Sequence, residues 1–101
     1  MGSTMKVREI SDPAGGRNLI RSGDGVRVRR GGADPTGFAA VMIDADVDAS
    51  GQLVAVTVFG GRGYDPAKLP RDNGQAIGQF RTIRPERIRR LSQAHIERRR
   101  A

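Results

Sequence analysis

Apolar and polar side chains alternate along residues 37–59. Ala39, Val41, Ile43, Ala45 and Val47 are interleaved with Met42, Asp44, Asp46 and Asp48, and after a short polar break Val54, Val56 and Val58 are interleaved with Ala55 and Thr57. A repeat of two is the mark of a half-buried β-strand. Between the runs, Asp48-Ala49-Ser50-Gly51-Gln52 supplies short polar side chains that bond their own backbone and a glycine able to take positive φ. The pattern therefore predicts one long β-hairpin. A hairpin alone is marginal in water, so its apolar face needs strands on either side, with Val41, Ile43, Val54, Val56 and Phe80 expected in the core.

The flanking segments supply those strands. Residues 6–10 read as a short edge strand, broken at Ser11-Asp12-Pro13-Ala14-Gly15-Gly16, where proline and paired glycines interrupt regular structure. Leu19 and Ile20 are expected to lie over the open end of the core. Val26-Arg27-Val28-Arg29-Arg30 reads as a strand with its valines inward and Arg27 and Arg29 outward, and residues 31–37, with Asp34-Pro35, return the chain to the hairpin. Residues 60–74 form a glycine-rich loop, and 76–84 the last strand. Pro85 suits a first helical position, Glu86 suits the positive end of a helix, and Ile88, Leu91 and His95 recur at helical spacing. A basic helix is expected from there to the end. The chain thus divides into an N-terminal arm (1–18), a β domain (19–84) and a basic helix or tail (85–101). Met1 to Thr4 precede a second methionine, Met5, which reads as the native start.

Four or five short antiparallel strands with one long hairpin would curl and close to remove their edges. Gly23-Asp24-Gly25-Val26-Arg27-Val28, followed after a loop by Gly37-Phe38-Ala39-Ala40-Val41, resembles the opening of an SH3-like barrel of the KOW and Tudor-like kind. Phe80-Arg81-Thr82-Ile83-Arg84-Pro85-Glu86-Arg87-Ile88 is similar to its closing strand and following helical turn. The resemblance spans about residues 19–91. It implies a mainly β fold, a small antiparallel barrel followed by the basic α-helix, and partners among RNA, ribosomes, RNA polymerase or peptides.

Charge changes this picture by its placement. The chain of 101 residues has a net charge of +7, and residues 81–101 hold eight arginines against Glu86 and Glu97, so almost all of the excess lies at the C-terminal end. Arg84, Arg87, Arg89, Arg90, Arg98, Arg99 and Arg100 outnumber the acids that could pair with them, and guanidinium groups match phosphate bidentately. Together with Arg27, Arg29 and Arg81 they are the candidate nucleic-acid contacts. The general preference for arginine over lysine carries less meaning, because a GC-rich coding genome produces it too.

Other motifs fall short of chemistry. Asp46-x-Asp48-x-Ser50-Gly51 begins like a calcium loop, but its twelfth position is Thr57 and carries no carboxylate. Asp44, Asp46 and Asp48 read instead as a solvated strand face, a locally bonded turn, partners of Arg27 and Arg29 across the sheet, or a contact for a basic partner. Gly60-Gly61-Arg62-Gly63 lacks the Lys-Ser/Thr of a phosphate cradle, leaving Arg62 and Tyr64 as minor contact candidates. His95 is the only histidine and cysteine is absent, so nucleophilic and general acid–base catalysis lack their usual players. No cofactor, metal or membrane span is expected, and the absence of cysteine suits a reducing cytoplasm. The expectation is a non-catalytic nucleic-acid-binding accessory protein reading phosphate and shape on DNA or RNA. The alternative is a small bacterial or phage interaction module docking on a polymerase, ribosome or viral assembly through Asp44 and Asp46 or the 60–74 loop.

Overall fold

The computed structural model describes residues 3–15, 17–31, 37–68, 73 and 78–91. Its centre is the predicted hairpin: β5 (Phe38–Val47) and β6 (Leu53–Gly61) pair along almost their whole length. Their turn is built as its residue types require. Asp48 Oδ1 accepts from Ser50 N and Gln52 N at 2.9 Å and from Ser50 Oγ at 2.6 Å, while Gly51 sits at φ 85°. These bonds, led by the Ser50 hydroxyl, hold the Asp48 carboxyl below its ordinary pKa.

The earlier strands are β1 (Met5–Val7), β2 (Glu9–Ser11), β3 (Leu19–Arg21) and β4 (Gly25–Val28), and β7 (Gln79–Ile83) and β8 (Ile88–Arg90) follow the hairpin. One sheet runs β7-β6-β5-β4-β8, with β1 also on β5, and β2 and β3 form a separate pair. β4 and β1 share one edge of β5, opposite its first and last residues respectively. The predicted first edge strand is thus two strands, split at Arg8, whose carbonyl accepts from Ser22 N at 2.8 Å.

The sheet cannot be flat. Laid flat, the five-strand path would put β7 and β8 about 19 Å apart, yet the chain joins them through residues 84–87. That link spans at most about 17 Å extended, and nearer 13 Å with a 3-10 turn in it; Pro85–Arg87 is such a turn. The sheet therefore curls around one cluster: Ile10, Ile20, Val26, Val28, Phe38, Ala40, Met42, Ala45, Val56, Val58, Ile83 and Ile88. It stays open, because β7 and β8 share no ladder.

Three expectations are corrected. The core phase is broken by register shifts between Met42 and Asp44 and between Asp46 and Val47, which leave Ile43 and Val54 as extra residues. A single extra residue moves the next side chain to the other face. Met42 and Ala45 are consequently buried, Val41 and Ile43 half-buried and Val54 exposed, while Val56 lies in the core as expected. Phe80 is also outside: Ile83, on the opposite face of β7, is the buried residue. Residues 85–90, expected to be helical, form the 3-10 turn and β8 instead. β4 would otherwise present an unpaired edge, and Ile88, 1% exposed, packs on it opposite Val28. Leu91 is buried and its N–H extends the ladder to Gly25 O at 3.1 Å. Residues 92–101, with His95 and Arg98 to Arg100, lie outside the described residues, as does Asp34-Pro35. No helix among the described residues is long and apolar enough to cross a membrane.

Candidate functional site

The end of β4 and the link between β7 and β8 are clamped to each other. Arg29 N donates to Arg87 O at 2.7 Å, and Arg87 Nε donates back to Arg29 O at 2.8 Å. Arg87 N also reaches Arg84 O at 3.0 Å, closing the 3-10 turn that Pro85 opens. Gly31 makes room for this arrangement: a Cβ there would come within 3.2 Å of both Arg87 Cδ and Nε. The clamp brings together arginines that are distant in sequence.

An open concavity of about 700 Å³ results, lined by Arg29, Arg30, Arg84 and Arg87 with Thr82 and Glu86. It lies where the sheet stays open, between the β7 edge and the segment after β4. Among the described residues, its lining holds four arginines and one acid, Glu86. Arg29, Arg30 and Arg84 are exposed, and no carboxylate among the described residues lies within ion-pair range of them. A surface of this kind attracts anions, and its planar donors suit the oxygens of a phosphate.

The predicted basic residues are only partly gathered here. Arg29, Arg84 and Arg87 line the concavity; Arg27 and Arg89 stand directly opposite one another in the β4–β8 ladder, two residues further along, and Arg90 opposes Val26. Arg81 is held elsewhere, its guanidinium carbon 5.0 Å from the Phe38 ring centroid, a cation–π contact. Arg30 was missed by the sequence reading. Its signal was the Arg29-Arg30 doublet directly ahead of Gly31, where a strand ends and both side chains can turn to the same opening.

The acidic face is engaged from another direction than expected. Lys6 stands opposite Asp46 in the β1–β5 ladder, with Nζ 2.9 Å from Asp46 Oδ1 and 3.8 Å from Asp44 Oδ1. The predicted pairing with Arg27 and Arg29 is thus replaced by Lys6, because β1 and not β4 lies beside that half of β5. The Asp46 hydrogen bond is the main reason the Lys6 ammonium holds its proton above the usual range. In the 60–74 loop, Arg62 is exposed but Tyr64 is 4% exposed, its ring 5.6 Å from that of Phe59. Burial, and secondarily Asp65, raises its phenol pKa. Tyr64 therefore serves packing, and Arg62 does not line the concavity.

Among the described residues no group of acids and histidine is arranged to hold a metal ion. No protein-family model, curated protein or solved structure matches the chain, so what it does is read from this geometry.

Proposed function

We propose that the chain is a non-catalytic nucleic-acid-binding accessory protein that holds the phosphate backbone in the concavity of Arg29, Arg30, Arg84 and Arg87, flanked by Arg27, Arg89 and Arg90. The observation that carries this reading is the convergence of four arginines from two separate segments on one opening, whose described lining holds one acid, Glu86. Arg98, Arg99 and Arg100 would add further positive charge for the same ligand. The fold reading that accompanies it is an open SH3-like barrel. Its support is the antiparallel run β4 to β7 followed by a 3-10 turn and a strand that returns to β4. The protein-docking alternative has less support, because Lys6 already occupies the Asp44–Asp46 face.

Salt titration of binding to labelled DNA and RNA, each single-stranded and duplex, tests this. Each phosphate neutralised contributes about 0.9 to the fall of log K with log salt on duplex DNA, so the four groove arginines should contribute a slope of about −3.6. Replacing Arg30 and Arg84 together by Gln should make the measured slope shallower by about 1.8. Absence of binding at low salt in the intact protein would overturn the reading.

A further inference from the structure

A single exposed ring on a protein surface carries no meaning by itself. Phe80 differs in what supports it and in what lies beside it. At 70% exposure it is the largest apolar side chain left in solvent among the described residues. Its ring meets Phe59 at 4.9 Å and 63°, and Phe59 meets Tyr64 at 5.6 Å and 84°. Tyr64 is buried, so three rings run edge to face from the interior to solvent. Such contacts fix a ring's orientation. The outermost ring is therefore held in place while much of it remains open to solvent.

The second fact is position. Residues two apart share one face of a strand. Phe80 and Thr82 do so on β7, and the backbone is still extended at Arg84, with φ −67° and ψ 140°. Phe80, Thr82 and Arg84 thus form a row about 13 Å long, whose last two members line the arginine concavity. A flat apolar surface and an arginine-lined surface thus adjoin along one strand face.

We propose that Phe80 is a stacking platform for an unpaired base, and that the ligand of the concavity is single-stranded nucleic acid. This rests on the nucleic-acid reading above and narrows it. In a duplex each base is covered by its neighbours in the stack, and a surface ring gains no access to it without unstacking. In a single strand the phosphates follow the arginines while a base turns onto Phe80, and every base offers a π face.

The test uses the full chain at low salt with three probes: a labelled oligothymidine, a labelled duplex of the same length, and inorganic polyphosphate as a competitor that carries charge without bases. Phe80→Ala should weaken oligothymidine binding about 5- to 150-fold, with duplex binding, polyphosphate competition and salt slope little changed. Phe80→Trp should restore the single-strand affinity. If Phe80→Ala loses its circular-dichroism spectrum, Phe80→Leu replaces it, since leucine keeps the contact with Phe59 and has no π face. The proposal fails if neither variant alters single-strand binding, or if both weaken all three probes equally. It also fails if sedimentation shows Phe80→Ala splitting a self-associated protein into monomers with single-strand affinity intact, because the ring then belongs to a contact between copies. Failure of all three probes to bind the unaltered protein removes the broader nucleic-acid reading as well, which separates the two failures.

Discussion

Met42 and Ile43 are adjacent, both large and apolar, and the shift of register between Met42 and Asp44 gives them opposite fates. Met42 is fully buried, its N–H on Asp24 O at 2.9 Å and its carbonyl accepting from Gly23 N at 2.8 Å, whereas Ile43 is the extra residue and half-buried. Met42→Ala leaves a hole against Val58, which lies across the ladder, at a cost of about 2–5 kcal/mol. Ile43→Ala removes three carbons from a half-wetted site, about 1 kcal/mol by area. Against a total stability of about 5–15 kcal/mol the two are easily distinguished. A domain of this size loses about 4–8 °C of Tm per kcal/mol, so Met42→Ala should lower Tm by at least about twice as much as Ile43→Ala, whose loss should be about 4–8 °C. Urea unfolding followed by circular dichroism, with m-values compared, measures both. Equal costs, or a larger one for Ile43→Ala, would mean that the alternation runs unbroken through β5 and that the bulge is misplaced.

Two further outcomes follow from contacts described above. Gly31→Ala crowds Arg87 and should release its hydrogen bond to Arg29, lowering stability by about 0.5–1.5 kcal/mol and weakening binding of the labelled nucleic-acid probes; lost stability with unchanged affinity would show that the clamp does not position Arg87 for a ligand. Tyr64, whose pKa is raised by burial, keeps its proton in the fold at pH values where the unfolded chain loses it. The unfolded state then binds fewer protons, so stability should be intact below pH of about 10 and fall above it. Lys6, raised by Asp46, loses its contribution in the same alkaline window. Tyr64→Phe should therefore flatten part of the alkaline limb of a stability–pH profile, and an unchanged limb would exclude the phenol as a contributor.

What the sequence made legible is what depends on neighbours in the chain. The hairpin follows from period-two alternation, its turn from Asp48, Ser50 and Gly51, and the inward valines of β4 from Val26 and Val28 flanking Arg27. The errors arose where a distant strand decides. Ile43 and Val54 look like any other members of an alternating run, and only pairing across the hairpin makes them surplus. Ile88 and Leu91, three apart, fit a helical stripe as well as a strand end; the free edge of β4 selects the strand. Phe80 was expected inside for its bulk, although Ile83 lies at an odd spacing from it and cannot share its face. Of the site, Arg29, Arg84 and Arg87 were visible as charged positions. Their meeting depends on the curl of the sheet and on the Arg29–Arg87 clamp.

The ladder that brings β8 back to β4 sets Arg27 against Arg89. Like charges directly opposed in a sheet weaken the pairing that holds them. The strand that completes the fold is thus attached at the place where the protein repels itself, and an anion lying over the two side chains would neutralise that repulsion. Binding and completion of the sheet would then share one free-energy term: a polyanion that strengthened the last ladder would bind more tightly for doing so, and would act as the missing countercharge of the fold.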